Sequence, residues 1–540
     1  MSQPSPASLA TLSLPHRPYR LAGSVVVAIA IASLVAMVLW SIAHAGSGAT
    51  SSGSTPDVAH LLRMTSIQAG LSTILSLIVG TGLAWALNRL RFWGRDLVVG
   101  LFSSAIVTPG LIVAFGLLSV WGRSGWVNQG LGELFGFSIG NPMFGLPGIL
   151  AAHVILDAAF AARIILARLD SIPTTRLKTG QSLALSAWQR FAVIDWPAIR
   201  GTLPGLGAII FLLAFTSFPI VLLLGGGPAN QTLEVAIYSA VRLDFDLPAA
   251  VTLALVQIAA CSVVIITSAV LAPIPSSLGP SSGQSWADSR LTRIFQWIIL
   301  FACVIGFALP LIAVLVDGLT FGLAELIARP SFWKATGTSL IIGSLSACTT
   351  LILSLAIAMG RASTARPILR ISLGIPSYAY LAVPAVVLGL GFFLLVRDAG
   401  ADTSLVAPII VIIANALLAL PFAVATLAPP LDAIARSRGK LIRSLGLSSV
   451  EQFRLVEWPL IGRDIGVVLA LAFCFSLGDL GVISLFGTEN FSTLPLMMMR
   501  ALGAYRTNDA AAIAALMLVL TVLVFTLLPR LFESWSNAEA

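Results

Sequence analysis

Few side chains in this sequence could do chemistry, and their positions are informative. Two carboxylates, Asp157 and Asp479, interrupt long apolar runs. A charge at mid-bilayer costs roughly 2.5–3.5 kcal/mol on insertion scales, so each acid is expected to face a cavity or a partner helix, not lipid. A carboxylate lining a path through a membrane would suit a passing cation. The plainer role is a hydrogen bond to a neighbouring helix. Arg163 lies six residues beyond Asp157, does not stack on the same helix face, and reads as a side chain reaching for the interface. Phosphate-cradling chemistry is missing. Gly439-Lys440 is the only Gly-Lys pair; it is followed by Leu441 and lacks the upstream glycine of a nucleotide loop. Cys261, Cys303, Cys348 and Cys474 all fall in apolar runs without CxxC or Cys/His spacing, so neither a metal nor a structural disulfide is expected.

Contact chemistry, in contrast, is written twice. Residues 181–199 read QSLALSAWQRFAVIDWPAI and residues 443–461 read RSLGLSSVEQFRLVEWPLI, 262 positions later and identical at 8 of 19 places. In the first copy Leu183, Leu185, Trp188, Phe191 and Ala192 stand among polar residues. In the second, Leu445, Leu447, Val450, Phe453 and Leu455 do the same. This spacing suits short amphipathic helices that offer an apolar ridge to a groove in a soluble protein. Trp196-Pro197 and Trp458-Pro459 then open the next helix, proline in its first turn and tryptophan at the membrane interface. One such Trp-Pro would mark only a helix start. Two at the same upstream spacing favour docking to a two-fold partner.

The elements that hold these residues must be membrane helices. Hydrophobic residues make up 57% of the chain and charged residues 10%, against roughly 25% charged in a soluble domain. Apolar runs long enough to cross ~30 Å of hydrocarbon recur, without the alternation of an outer-membrane barrel. About twelve spans are expected, at 21–42, 65–87, 97–120, 146–167, 203–224 and 249–272, then 294–316, 336–358, 371–396, 405–427, 465–485 and 510–528. The first lacks a small-residue cleavage site and reads as a retained helix. With the N-terminus inside, 23 of the 31 Lys and Arg fall on the cytoplasmic side, as do both copies of the motif. The net charge of +8 therefore reports topology, and nucleic acid is not an expected partner.

The chain divides into two similar halves. A Pro/Ser/Gly-rich linker at 273–293 separates a first repeat, 21–272 with its core at 65–268, from a second, 294–530 with its core at 336–528. A cytoplasmic segment, 1–20, precedes them and a cytoplasmic tail, 531–540, follows. Gln231-Thr232-Leu233 and Ser492-Thr493-Leu494 sit at matching places, as do Ala249-Ala250 and Ala510-Ala511. Six spans per half make the repeats parallel, related by an axis along the membrane normal. Gly225-Gly226-Gly227-Pro228 is expected to end a helix in a turn, and with Glu234, Asp244, Asp246, Glu489 and Asp509 to contribute to an outer docking rim.

The duplicated motif resembles the cytoplasmic coupling loop of binding-protein-dependent ABC importer permeases of the type I fold. That loop reads Glu-Ala-Ala, three residues, Gly, nine residues, Ile-x-Leu-Pro. Ile194 and Pro197 match in the first copy, with Ala184 in place of Gly and Lys178-Thr179-Gly180 in place of Glu-Ala-Ala. Gly446 and Pro459 match in the second, with Val456 similar and Lys440-Leu441-Ile442 in place of Glu-Ala-Ala. Residues 224–250, 476–495 and 116–127 are similar to the thiamine/thiamine-pyrophosphate branch of that family.

The resemblance implies an all-α polytopic permease of two six-helix repeats that moves thiamine, or its phosphates, across a bacterial inner membrane without a cofactor of its own. It implies a homodimeric ATP-binding subunit beneath Leu183, Ala184, Leu185, Phe191, Trp196 and Pro197, and beneath Leu445, Gly446, Leu447, Phe453, Trp458 and Pro459. It also implies a periplasmic thiamine-binding protein outside; Asp157 and Asp479, as acids within spans, are the candidates for the pathway of the cationic substrate. A ferric-iron permease of the same family and an ion-coupled secondary transporter are the alternatives.

Overall fold

The computed structural model describes residues 18–47, 57–271, 288–320, 322–378 and 383–538, and every regular element among them is helical. Residues 1–17 of the expected cytoplasmic segment 1–20, and most of the linker, lie outside the described residues. The first half comprises α1 (Pro18–Ser47), α2 (Val58–Arg89), α3 (Arg95–Ser103), α4 (Gly110–Trp121), α5 (Trp126–Phe135) and α6 (Leu146–Asp170). Short helices α7 (Thr174–Ser182), α8 (Ala187–Arg190) and α9 (Trp196–Ile199) follow, then α10 (Leu203–Phe215), α11 (Pro219–Leu224), α12 (Leu233–Arg242) and α13 (Leu247–Leu271). The second half repeats the plan with α14 (Arg290–Thr320), α15 (Leu323–Ile327), α16 (Pro330–Ala362), α17 (Pro367–Tyr378), α18 (Ala385–Asp398) and α19 (Thr403–Ser444). It closes with α20 (Ser449–Gln452), α21 (Trp458–Gly478), α22 (Gly481–Phe486), α23 (Leu494–Gly503) and α24 (Thr507–Ala538).

Among the described residues ten helical stretches are long and apolar enough to span a bilayer, α4 with α5 and α20 with α21 each counting as one, or 11 if Ala187–Ile199 and Leu203–Phe215, bent by 65°, form one span. The expectation from sequence is about twelve; the expected span at 371–396 runs through residues 379–382, which lie outside the described residues, with α17 before them and α18 after.

The spans are apolar outside and small or polar within. On α2, Thr65, Gln68, Ala69, Ser72, Ser76 and Gly80 are buried, while Ile74 and Ile78 are exposed. Lipid offers no hydrophobic drive between helices, so close backbone approach and hydrogen bonds hold the bundle. Thr65 Oγ1 accepts from the Leu233 N–H at 3.0 Å, and Ser339 Oγ from the Leu494 N–H at 2.8 Å. These two bonds give a physical reason for the recurrence of Thr-Leu in the two halves. Each ties the start of a short helix to the second long helix of its own repeat.

The first helix of each half packs across onto the other: α1 against α16, α17 and α18, and α14 against α2 and α4, while α1 also touches α13 and α14 also packs on α24 of its own half. Two glycines make room. A Cβ at Gly116 of α4 would stand 2.5 Å from the Pro310 carbonyl oxygen of α14, and one at Gly391 of α18 would stand 2.4 Å from Val38 Cγ1 of α1. Three expected spans are interrupted: at 104–109 between α3 and α4, at 216–218 between α10 and α11, and at Asp479-Leu480 between α21 and α22.

Candidate functional site

These three interruptions and the start of α18 border a cavity of about 360 Å³ between the repeats, lined by Thr108-Pro109-Gly110, Ser217-Phe218-Pro219, Pro384-Ala385 and Gly478-Asp479-Leu480. Proline lacks the N–H that continues a helix and clashes with the preceding turn, so Pro109 and Pro219 explain two of the breaks, and Pro384 precedes the first turn of α18. The cavity lies at the internal axis. Leu156 and Phe160 of α6 line it together with Leu418 and Phe422 of α19, and Leu212 and Leu213 of α10 with Cys474 and Phe475 of α21. All four pairs are separated by the 262 positions that separate the two loop motifs. Irregular backbone at membrane depth is tolerated where it lines a cavity, and paired broken helices point to a transport site.

Both sequence-derived acids reach this cavity, in different states. Asp479 is 8% exposed and accepts the N–H groups of Val482 and Ile483 at 3.2 and 3.4 Å, so it caps α22. Asp157 is 7% exposed, and its Oδ2 has no hydrogen-bond partner among the described residues. Sequence reading missed His153, one turn before Asp157 and also on the cavity wall, together with Phe160 and Phe422. Prolines inside apolar runs at matching places, Pro109 and Pro384, were the available signal. Arg163 is exposed and does not reach the cavity lining. Two of the five acids expected on an outer rim are not available there. Glu234 is buried against Gln257 at 2.9 Å, and Asp509 is buried against Arg329.

The two loop motifs fold alike. In each, a serine caps a short helix through a reciprocal pair of bonds. The Gln189 N–H donates to Ser186 Oγ at 3.3 Å and the Ser186 N–H to Gln189 Oε1 at 2.9 Å. The Glu451 N–H donates to Ser448 Oγ at 3.2 Å and the Ser448 N–H to Glu451 Oε2 at 2.7 Å. A single wide π-type turn follows, Phe191–Asp195 or Phe453–Glu457, and delivers Trp-Pro to the next helix. Each turn ends in a buried acid that is anchored to a long helix. Arg89 of α2 holds Asp195, and Arg20 of the exchanged helix α1 holds Glu457 at 2.6 Å.

The apolar ridge is narrower than expected from sequence. Leu183, Trp188 and Val193 are exposed in the first loop, and Leu445, Val450 and Leu455 in the second. Leu185, Phe191, Leu447 and Phe453 are half-buried and support the loops from beneath. Phe191 stacks between Trp188 and Trp196, with ring centroids 5.9 and 6.3 Å away, and Phe453 meets Trp458 at 6.2 Å. Trp458 also packs on Trp535 of α24 at 5.4 Å, so the last helix braces the second loop. Pro197 is exposed and Pro459 half-buried.

Ala184 and Gly446 occupy matching positions with φ of 51° and 63°. A left-handed residue with a Cβ is strained by roughly 1–2 kcal/mol, whereas glycine is not. Gly446→Ala should therefore lower stability by about 1 kcal/mol, and Ala184→Gly should raise it by up to about 1 kcal/mol. Thermal unfolding of the detergent-solubilised protein measures both. Equal and opposite shifts are the expected pattern, and a fall for Ala184→Gly would contradict the strain.

Two helical repeats around a central cavity, each with a matching loop of the same turns, define a polytopic membrane permease. No protein-family model matches the chain. It is 36% identical over 481 residues to the thiamine transport system permease protein ThiP of Brucella melitensis, covering 88% of each chain. It is 36% identical over 482 residues to the protein of that name from Escherichia coli, covering 87% of this chain and 89% of that one. A putative ferric transport system permease protein of Haemophilus influenzae is 33% identical over 147 residues, only 27% of this chain. The chain belongs to the thiamine transport system permease family. It is a multi-pass permease subunit of an ABC transport system, and an ABC permease works with an ATPase and a binding protein. The ion-coupled alternative gives way to this assignment.

Proposed function

We propose that this chain carries thiamine from the periplasm to the cytoplasm across a bacterial inner membrane, with both termini in the cytoplasm. The observation that carries this reading is likeness to thiamine permeases along nearly the whole chain, against the short match to a ferric one. A homodimer of ATP-binding subunits sits beneath the two loops, one subunit on each apolar ridge. A periplasmic thiamine-binding protein docks on the opposite side. ATP draws the two motor subunits together, and the ridges move with them. The repeats rock about the central cavity, which opens first outward and then inward.

One experiment tests the substrate and the energy source together. Inside-out orientation is avoided by using right-side-out vesicles that hold the permease and its ATPase, with the binding protein added outside. Thiamine uptake should fall to background without internal ATP and persist when an ionophore collapses the proton gradient. Excess ferric citrate should not compete. Uptake that follows the proton gradient without ATP would refute the energy source. Competition by ferric citrate would refute the substrate.

A further inference from the structure

We infer that the central cavity is itself a binding site for an aromatic organic cation carrying an N–H donor, with Asp157 and His153 of α6 as its polar anchors. The inference rests on the thiamine-transport reading and adds to it a selective site inside the permease. A path that only lets substrate pass needs no such anchors.

The volume, about 360 Å³, falls within the ~300–1,000 Å³ usual for small-molecule sites. The walls are mostly apolar. Phe422 and Phe475 meet edge to face at 5.2 Å and 75°, and Phe160 lines the same space. Aromatic rings suit a flat cation, through stacking and through attraction to the ring faces.

The polar groups are few, and the hydroxyls of Thr108 and Thr216 are spent on the carbonyls of Ser104 and Leu212. His153 is 3% exposed and Asp157 7%, and four residues apart they share one face of α6. Asp157 Oδ2 and His153 Nε2 have no hydrogen-bond partner among the described residues. His153 Nδ1 lies 3.0 Å from Ser72 Oγ. With the Nδ1 proton donated to that hydroxyl, Nε2 presents a lone pair to the cavity. A buried carboxylate oxygen and a buried imidazole nitrogen left without partners are costly, and a ligand bringing a positive charge and an N–H would satisfy both. No lysine or arginine lines the cavity among the described residues, so a cation there would have to come with the ligand.

The anchors occupy one side of the internal axis. At the matching positions α19 has Asn415 and Ala419, and Asn415 donates to Ser476 Oγ at 2.9 Å. The other acid, Asp479, is engaged by the first turn of α22. The ligand is thus held asymmetrically, its charge and donor toward α6 and its remaining ring surface toward Phe422 and Phe475.

The test is equilibrium binding of radiolabelled thiamine to the permease–ATPase complex in lipid nanodiscs, without binding protein. One saturable site per permease is expected, and thiochrome, the neutral ring-closed form, should compete poorly. Asp157→Asn should weaken binding at least about tenfold, as expected for loss of one charge-assisted contact. Asp479→Asn should weaken it less. Co-purification of the ATPase with each variant checks assembly, and the thiochrome comparison needs no variant. Absence of saturable binding, equal binding of thiochrome, or a larger loss from Asp479→Asn would overturn the proposal. If vesicles still import thiamine while the permease alone binds none, this inference fails and the transport reading stands. If vesicles import no thiamine, the transport reading fails first.

Discussion

Replacing Leu445 and Val450 together with aspartate releases the ATPase from the permease and abolishes uptake, while the helical bundle stays folded. Leu445 is 61% exposed and Val450 75%, so charges placed there remain in water in the isolated permease. In the complex the same charges would be enclosed in an apolar groove without partners. The penalty is several kcal/mol per buried ion, so two of them weaken docking by more than about 1,000-fold. Leu447 and Phe453 also belong to the apolar set, but both are half-buried and support the loop from beneath, so their loss would mix folding with docking. The measurement is ATPase-to-permease stoichiometry after affinity purification. Retention at the normal ratio would remove the loops from the motor interface. Leu183→Asp with Trp188→Asp makes the same test on the first loop, where exposure is 67% and 75%.

Gly116→Val and Gly391→Val should each destabilise the permease by roughly 2–3 kcal/mol, toward the upper end of overpacking costs. At Gly116 the obstruction is backbone: an added Cβ would lie 2.5 Å from the Pro310 carbonyl oxygen, and no rotamer change relieves that contact. At Gly391 the nearest atom is Val38 Cγ1, with the Val38 carbonyl oxygen 3.2 Å away. Both substitutions push an exchanged first helix off the half that borrows it. In the second half the same helix α1 brings Arg20 to Glu457, so Gly391→Val should also weaken ATPase retention. The readouts are thermal unfolding in detergent and co-purification. Parental melting of both variants would contradict the helix exchange, because the close approach exists only if α1 and α14 cross over.

Much of this protein was legible in its sequence because the signals were local. A chain that is 57% hydrophobic cannot cover a water-facing surface, so the membrane class followed from composition. Cytoplasmic basic residues gave the expected orientation, and the recurrence of residues 181–199 at 443–461 gave two matching loops. Capping boxes and Trp-Pro starts depend on neighbours within a few positions, and both copies adopt the same turns. Even Ala184, which departs from the glycine of the family pattern, keeps the left-handed conformation that glycine takes at 446.

Contacts between distant segments decided the rest. Apolar runs at 97–120, 203–224 and 465–485 read as continuous spans, because hydropathy does not register a break whose freed backbone groups face a cavity. Whether Asp157 or Asp479 was engaged depended on which helix start lay beside each carboxylate. Only Asp479 had the N–H groups of Val482 and Ile483 within reach. The exchange of α1 and α14 left no mark on periodicity, since either half offers an apolar surface to a greasy helix. Small residues at Gly116 and Gly391 selected the partner by letting two backbones approach closely. That steric fit exists only once helices nearly 200 residues or more apart in the chain are packed together.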